Sequence, residues 1–192
     1  NSWINSSMKD KEYLNDVYFL DENNGWTVGS LGVIFNTIDG GVTWNPQNSE
    51  TNENLYGIYF IDENNGFAVG QSGVILRTTD QGENWLLQYQ NESDNLMEVI
   101  FIDELNGYIL SHEGNIWHTN SGGDSWFVMS SLSQVSSCQS YKGMFFMDIN
   151  HCWVVGACGN IFCSSNGGFN WRQQSEGYYE TLKSVDFVDD DN

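Results

Sequence analysis

The amino-acid sequence predicts an all-β fold, a β-propeller of four-stranded antiparallel blades. Three observations predict it: tryptophan recurs at a nearly fixed interval, every interval repeats one order of strand and turn signals, and every interval ends in an Asp-box turn. The tryptophans in phase are Trp3, Trp44, Trp85, Trp126 and Trp171, which lie 41 residues apart except for a last interval of 45. Four short strands in about 40–45 residues is the period of a propeller blade, whereas one strand in about 20–30 residues indicates a solenoid.

The first element of each repeat is an apolar strand that ends in an acidic residue. It reads LNDVYFLDENNGW from Leu14 and LYGIYFIDENNGF from Leu55, with further copies from Leu96 and Tyr141 and a fifth start at Leu182. Apolar side chains alternate along these segments, which predicts strands with one buried face.

A turn and a hairpin come next. Asp21–Gly25 reads DENNG, and these residues favour Asx turns and left-handed backbone, so the chain is expected to reverse here. The following segment, WTVGSLGVIF from Trp26, places two residues between Gly29 and Gly32 and predicts a tight hairpin between apolar strands.

The Asp-box is the most specific part of the repeat. Residues 37–44 read TIDGGVTW, and related octapeptides begin at Thr78, Thr119 and Ser164. We expect the Asp carboxylate to accept backbone N–H groups, the Gly to adopt a conformation that a Cβ opposes, and the Trp to fold onto the hairpin. The residues assigned this structural role are Asp39, Gly41, Trp44, Asp80, Gly82, Trp85, Gly123, Trp126, Asn166, Gly168 and Trp171.

The repeats place about four blades in one propeller fragment, residues 1–192. Their approximate limits are 4–44, 45–85, 86–126 and 127–171, with residues 172–192 beginning a further blade. Residues 1–3 match the end of an Asp-box and residues 189–192 match the start of the DENN turn. We therefore expect further blades outside this sequence, with an array that does not close into a ring as the alternative.

The charge of the chain restricts its partners. Six Lys and Arg stand against 26 Asp and Glu, for a net charge of −20. Nucleic acid and anionic membrane surfaces attract clustered Lys and Arg, so neither is an expected partner. The acidity indicates either solubility or attraction of cations or of a basic partner. No apolar run is long enough to cross a bilayer, and no signal peptide is found within the sequence. Because the first residue is Asn and not Met, a signal peptide can lie upstream.

The repeat resembles a known family. The combination of V-x-F-x-D, G-W-x-V-G-x-x-G and T-x-D-G-G-x-T-W resembles the photosystem II assembly and stability factor family of Asp-box, or BNR-like, repeat proteins. The third copy departs from this pattern at Ser111 and Ser121, and the fourth at Asn166. The resemblance implies a propeller of about seven blades with a binding role, and an Arg-rich binding patch in photosynthetic members. Because this chain has only Arg77 and Arg172, photosystem assembly is not carried over.

Catalytic chemistry is not expected within this sequence. Sialidases, which also contain Asp-boxes, resemble one another in binding the substrate carboxylate with a cluster of three Arg. This chain has two Arg, so sialidase activity is not expected within this sequence. Asp-box glycosidases use two carboxylates, but most acids here recur in phase and so are interpreted as structural. The three histidines, His112, His118 and His151, lack a metal-ligand spacing and are interpreted as surface or turn residues.

No cofactor is expected, with calcium as a weak alternative. Asp21 and Asn23, and likewise Asp62 and Asn64, resemble the opening of a calcium loop. The distal bidentate Glu of such a loop is missing, which favours plain turns.

The four cysteines lie in the last period. If Gly156 and Gly159 close a hairpin, Cys152 faces Cys163, which predicts a Cys152–Cys163 disulfide. Cys138–Cys158 is then the remaining pair, and four free thiols are the alternative. Together with the N-x-S sites at Asn5 and Asn91, the even cysteine count favours an extracellular or cell-surface location.

The favoured function is a non-catalytic extracellular scaffold that contacts proteins or glycans. The alternatives are the propeller of a glycosidase whose catalytic residues lie elsewhere, and a subunit of an extracellular fibre or sheath. The candidate contact positions that break the repeat lie at the hairpin tips, namely Leu31, Gln71, His112, Glu113 and Ala157. The exposed aromatic pair Tyr178 and Tyr179 is a further candidate, with half-buried blade edges as the alternative explanation.

Overall fold

Four antiparallel sheets make up the computed structural model, which describes residues 13–91, 94–133, 138–175 and 180–187. The chain divides into two compact units, Asn1–Ser93 and Asp94–Asn192. Each unit contains two sheets, which we call blades and number in chain order. The Asp-box match at residues 1–3 and the turn match at residues 189–192 lie outside the described residues.

Each blade is a meander of four strands in chain order. The first unit contains β1 (Leu14–Phe19), β2 (Gly25–Gly29), β3 (Ile34–Thr37) and β4 (Asn45–Gln47), then β5 (Leu55–Phe60), β6 (Gly66–Gly70), β7 (Ile75–Thr78) and β8 (Leu86–Tyr89). The second unit contains β9 (Leu96–Phe101), β10 (Gly107–Ser111), β11 (Asn115–Thr119) and β12 (Phe127–Ser131), then β13 (Tyr141–Phe146), β14 (Cys152–Gly156), β15 (Ile161–Ser164) and β16 (Arg172–Ser175). The predicted all-β architecture of four-stranded antiparallel blades is confirmed. Among the described residues no helix is long and apolar enough to span a membrane.

The limits of the blades differ from the predicted limits of the repeats. The repeats were divided at the Asp-box tryptophan, but the strand after each tryptophan pairs with the strand before it, as in Asn36 opposite Asn45. Likewise, β16 pairs with β15 as the last strand of the fourth blade, and so residues 172–175 do not begin a further blade. The reason is that the Asp-box is the turn between the third and fourth strands of one sheet.

The predicted Cys152–Cys163 disulfide is wrong, and both cysteines are free thiols. Gly156 N–H donates to the Asn160 carbonyl at 3.1 Å, so the hairpin holds three residues and not two. Trp153 consequently lies opposite Cys163, and Cys152 opposite Ser164. Because successive side chains on a strand point to opposite faces, the two thiols lie on different faces of the sheet.

The other expected pair, Cys138–Cys158, is a disulfide in the structure, with Cα atoms 6.2 Å apart. Cys158 has φ 57° and Gly159 has φ 65°, and these two successive left-handed residues make the three-residue hairpin. The same backbone occurs at Leu31–Gly32 and Ser72–Gly73.

Aromatic stacking joins the two blades within each unit. The ring of Trp26 in the first blade stacks on Phe60 of the second, and that of Tyr108 in the third blade stacks on Phe146 of the fourth. Both pairs lie in buried apolar clusters. Polar bridges add to them, because the Asp16 carboxylate accepts Ile58 N–H at 2.9 Å and the Glu98 carboxylate accepts Met144 N–H at 2.5 Å.

Candidate functional site

The hairpins between the second and third strands form the tips of the blades, residues 30–32, 71–73, 112–114 and 157–159. All four predicted contact regions lie at these tips. The first, second and fourth share the left-handed pair described above, whereas the third has Gly114 as its left-handed residue, with φ 89°. Gly114 N–H donates to the Ser111 carbonyl at 3.1 Å, which closes a different turn. The third tip is therefore the one that departs from the repeat in backbone as well as in sequence.

Asn54 links the first two tips. Its Oδ1 accepts Leu31 N–H at 3.0 Å, and its Nδ2 donates to Gln71 Oε1 at 2.8 Å. The amide of Gln71 is thus engaged within the protein, while the Leu31 side chain is 73% exposed. Of these two predicted contact positions, Leu31 offers the larger free surface.

The third tip contains a polar cluster that we call the third-tip cluster, Asp94, His112, Glu113 and Ser140. His112 Nε2 lies 3.0 Å from Ser140 Oγ, and His112 Nδ1 lies 3.6 Å from Glu113 Oε1. Glu113 Oε2 accepts Asn95 N–H at 3.3 Å. Asp94 is buried, its Oδ2 accepts an N–H of the Asn115 side-chain amide at 3.0 Å, and its carboxylate lies beside the carboxyl group of Glu113.

The equivalent positions of the second blade show how two carboxyl groups come to lie side by side at the third tip. Glu53 and Ser72 occupy the same repeat positions as Asp94 and Glu113, and the Ser72 hydroxyl donates to Glu53 Oε2 at 3.3 Å. Replacing the serine by glutamate puts a carboxyl where a hydroxyl donor stood. A protonated Glu113 can donate to the Asp94 carboxylate, as the serine hydroxyl donates to Glu53.

Both titratable residues of the third tip are shifted from their ordinary ranges. Burial, followed by the hydrogen bond with Asp94, raises the pKa of Glu113 to about 7. Burial, followed by the positive charge of Lys142, lowers the pKa of His112. At neutral pH the Glu113 carboxyl is therefore partly protonated, and the lowered pKa of His112 favours a neutral imidazole beside it. Such a site can exchange its proton for an external cation.

The fourth tip is held covalently. Cys158 is tied to Cys138, and Asn160 Nδ2 donates to the Cys138 carbonyl at 3.2 Å. Ala157, the predicted contact position, is half-buried, and its N–H donates to the Ser140 carbonyl at 2.8 Å. The predicted pair Tyr178 and Tyr179 lies outside the described residues.

The Asp-boxes are turns stabilised by their own side chains. Asp39 Oδ1 accepts Thr43 N–H at 2.8 Å, Oδ2 accepts the Thr43 hydroxyl at 2.6 Å, and Gly41 N–H donates to Thr37 Oγ1 at 2.9 Å. Hydrogen bonds from Thr43, side chain first, lower the pKa of Asp39 to about 2. Gly41 has φ 83°, a conformation that L side chains oppose.

The other boxes repeat this arrangement with the acceptors that each contains. Asp80 Oδ1 accepts Asn84 N–H at 2.9 Å, and Asn166 Oδ1 accepts Asn170 N–H at 3.0 Å. In the third box the Ser121 hydroxyl accepts Ser125 N–H at 3.3 Å. The glycines at the position of Gly41 all have φ between 81° and 87°, namely Gly82, Gly123 and Gly168.

The Asp-box tryptophans differ in burial. Trp85 is fully buried and donates from Nε1 to Gln47 Oε1 at 3.2 Å, and Trp171 donates from Nε1 to Ser130 Oγ at 3.1 Å. In both cases the acceptor belongs to the last strand of the preceding blade. Trp126 packs edge-on against Phe101, and Trp44 packs edge-on against Phe19.

The four weak calcium candidates lie in turns whose carboxylates already accept hydrogen bonds. Asp21 accepts Asn23 N–H at 2.7 Å and the Asn24 side-chain amide at 2.7 Å. Asp62 is held in the same way by Asn64 N–H at 2.8 Å and by the side chain of Asn65. These contacts explain the turns without a bound ion.

The histidines other than His112 have structural surroundings. The ring of His118 stacks on Tyr108 with centroids 4.7 Å apart, and burial lowers its pKa. His151 Nδ1 lies 2.8 Å from Asp148 Oδ2 in the turn of the fourth blade. Within the described parts of the chain, no three His, Cys, Asp or Glu side chains are grouped so that they could hold a metal ion.

Of the two predicted glycosylation sites, Asn91 lies among the described residues and Asn5 does not. Asn91 is exposed at the end of the second blade. Its Nδ2 donates to the Tyr89 hydroxyl at 3.3 Å.

Asp94 and Ser140 are the members of the third-tip cluster that sequence reasoning missed. The available signal was the repeat phase, because Asp94 aligns with Glu53 and Glu113 with Ser72. Comparing residue pairs between repeats, and not single positions, finds the carboxyl pair.

Solved structures similar to this chain are propeller proteins. YCF48 from Cyanidioschyzon merolae has a TM-score of 0.75 at 19% identity, and the alignment covers 95% of this chain and 62% of that one. YCF48 bound to D1 peptide has a TM-score of 0.58 at 16% identity, covering 86% and 83%. An ancestral GH74 enzyme has a TM-score of 0.70 at 15% identity, covering 90% of this chain and 27% of that enzyme. These likenesses confirm the β-propeller fold class, and the search of curated proteins found no match.

The sequence also matches a family directly. Residues 1–88 and 43–135, which together span residues 1–135, match the family described as photosynthesis system II assembly factor YCF48. This agrees with the resemblance carried by the V-x-F-x-D, Gly-hairpin and Asp-box motifs. The chain therefore belongs to the YCF48 family of BNR-repeat propellers.

Proposed function

We propose that this chain is a non-catalytic module that binds a protein segment at the tip of its third blade. The observation that carries the proposal is the departure of the third tip from the repeat, where Asp94 and Glu113 form a carboxyl pair beside His112. Family membership supports a binding role, because a similar structure is that of YCF48 bound to D1 peptide.

The proposed ligand is a Lys or Arg side chain on an exposed protein segment. A net charge of −20 attracts basic segments over a distance and repels acidic ones. At the third tip, an ammonium or guanidinium group takes the place of the proton on Glu113 and pairs with its carboxylate beside Asp94.

Selection from a library of random 12-residue peptides on the immobilised protein tests this proposal. We expect enrichment of Lys and Arg, and a selected synthetic peptide should bind Glu113→Gln and Asp94→Asn about tenfold or more weakly than wild type. Glu83→Gln is the matched control, because it removes one exposed charge from an Asp-box in the other unit. Peptides without basic residues, or equal weakening by Glu83→Gln, would contradict the proposed site.

A glycosidase is the second candidate, because GH74 enzymes are among the similar structures. This chain spans 28% of the Niastella koreensis GH74 enzyme. Asp94 interacts with Glu113 closely enough to raise its pKa, whereas the two carboxylates of a glycosidase stand roughly 5 Å or more apart. Incubation with xyloglucan and reducing-end detection separates the candidates, since the binding module releases no sugar.

An oxidising, extracellular location is part of the proposal. The Cys138–Cys158 disulfide and the exposed Asn91 support it. Mass spectrometry of the protein from its native source should find Cys138 and Cys158 joined. Free thiols at both positions would argue for a reducing compartment.

A further inference from the structure

Two tyrosines meet between the first two blades. Tyr18 lies on β1 and Tyr59 on β5, and their ring centroids are 4.7 Å apart with planes inclined by 43°. Both side chains are half-buried. Burial, followed by the charge of Tyr59 and a hydrogen bond with it, raises the pKa of Tyr18. The two residues therefore interact through their hydroxyl groups as well as through their rings.

The two phenols come together because they occupy the same position of the repeat. Each stands directly before the last phenylalanine of the first strand of its blade, in the segments VYF and IYF. The third and fourth blades have Ile100 and Phe145 at this position, and neither side chain has a hydroxyl group. The sequence thus provides the phenol pair in the first unit and not in the second.

The two units also differ in their cysteines. The second unit contains the Cys138–Cys158 disulfide, which links the fourth tip to the chain before β13. Residues 1–93 contain no cysteine, so the first unit cannot form such a bond. A covalent link within the first unit must therefore use a different side chain.

Neighbouring phenols can be joined by oxidation. Removal of one electron and the O–H proton turns a phenol into a phenoxyl radical, whose unpaired electron is shared with the carbons beside the C–O bond. Two such radicals couple through a new carbon–carbon bond, and the hydrogen on each coupled carbon then moves to the adjacent oxygen. In all, two electrons and two protons pass to hydrogen peroxide, which becomes two molecules of water.

We propose that Tyr18 and Tyr59 form an oxidative cross-linking site, at which a haem peroxidase and hydrogen peroxide join the two rings as dityrosine. In dityrosine both hydroxyl groups flank the new bond, so the hydroxyl contact between Tyr18 and Tyr59 places the coupling carbons close together. The bond would tie β1 to β5, one repeat apart. Like a disulfide, it would restrict the unfolded chain and raise the melting temperature.

Treatment of the dilute full chain with a haem peroxidase and one equivalent of hydrogen peroxide tests the proposal. We expect dityrosine fluorescence in the monomer, a mass lower by two hydrogen atoms, and a linked pair of peptides that contain Tyr18 and Tyr59. Tyr18→Phe and Tyr59→Phe keep the ring without the hydroxyl, so each should lose this product. Tyr56→Phe is the matched control, because Tyr56 is a half-buried tyrosine of the same strand, and it should react as wild type does.

Other outcomes overturn the proposal. One is the absence of the Tyr18–Tyr59 link in a sample in which Tyr13, which is 72% exposed, has been oxidised. Others are a product that persists in Tyr18→Phe, dityrosine found only between chains, and a linked wild type that melts no higher than the untreated protein. Melting of untreated Tyr18→Phe close to wild type excludes misfolding as the cause of its loss. Peptide binding at the third tip does not involve these tyrosines, so the two proposals can fail separately.

Discussion

The indole of Trp26 lies face to face with the phenyl ring of Phe60, with centroids 3.6 Å apart and planes inclined by 16°. The pair joins the first two blades, and both rings belong to a buried apolar cluster. Tyr108 and Phe146 repeat it in the second unit at 4.0 Å and 24°. An aromatic residue at the start of the second strand and a phenylalanine at the end of the next first strand thus form the repeated contact between blades.

Phe60→Ala should destabilise the first unit strongly. Removing this fully buried ring leaves a cavity under Trp26, for which about 3–5 kcal/mol is the usual cost. Urea unfolding followed by tryptophan fluorescence measures the loss. Phe169→Ala is the control, because Phe169 is 64% exposed and its removal should change the unfolding free energy by less than about 0.5 kcal/mol. Equal effects of the two variants would mean that the stacked pair contributes no more than a surface ring.

Asp39→Ala should lower the stability more than Asp39→Asn. Asparagine keeps a side-chain oxygen that can accept Thr43 N–H, as Asn166 does for Asn170 in the fourth box. Thermal unfolding of the two variants at neutral pH gives the comparison. If Asp39→Asn and Asp39→Ala unfolded at the same temperature, the hydrogen bond from Thr43 N–H would not be what stabilises the turn.

The Asp39 carboxylate should also contribute to acid sensitivity. Its folded pKa of about 2 lies below the unfolded value of about 3.9, so its contribution is present above about pH 4 and is lost as the pH falls toward 2. Asp39→Asn removes this dependence. Melting temperatures of wild type and Asp39→Asn should therefore converge between about pH 4 and pH 2, and parallel curves would contradict this reasoning.

Glu113 should have the opposite pH dependence. Its folded pKa of about 7 lies above the unfolded value of about 4.3, so its contribution is present below about pH 4 and is lost as the pH rises through 7. Glu113→Gln keeps a hydrogen-bond donor beside Asp94 at every pH. Its melting temperature should match wild type at pH 4 and exceed it at pH 8.

Glu113→Ser provides a second check on the same residue. Serine recreates the hydroxyl–carboxylate pair of Ser72 and Glu53, so this variant should also lose the pH dependence. A dependence that persists in both variants would place its origin in another residue.

The cysteines should react in a defined order with iodoacetamide under non-reducing conditions. Cys163 is half-buried and should be alkylated in the folded protein. Burial raises the pKa of Cys152 to about 12, so Cys152 should react only after unfolding. Peptide mapping should recover Cys138 linked to Cys158, whereas a linked Cys152–Cys163 peptide would contradict the observed register.

The order of the strands could be predicted from the sequence because each signal is local. The alternation around Val17, the Asp21 turn and the Asp39 box each depend on residues a few positions apart, and the structure forms the corresponding elements. The hairpin register depends on a backbone conformation that the residue types do not predict. Cys158 adopts φ 57°, which is uncommon for residues other than glycine, and the extra residue moves Cys163 to the other face.

The third-tip cluster was predicted only in part. His112 and Glu113 were found because they break the repeat at one hairpin. Asp94 lies about 20 residues earlier in the chain and reaches Glu113 only because the strand that follows it returns to the same tip. Strand pairing brings Asp94 and Glu113 together, so neither residue considered alone predicts the contact.

Proton release on peptide binding tests the central claim, that Asp94 and Glu113 bind a basic side chain, most directly. Titration calorimetry with one selected Lys- or Arg-containing peptide at pH 7, in two buffers of different ionisation enthalpy, gives the number of protons exchanged. With a Glu113 pKa of about 7, wild type should release about half a proton, and Glu113→Gln should bind more weakly and release none. Binding of the peptide without proton release by wild type, or with equal release by Glu113→Gln, would contradict the account.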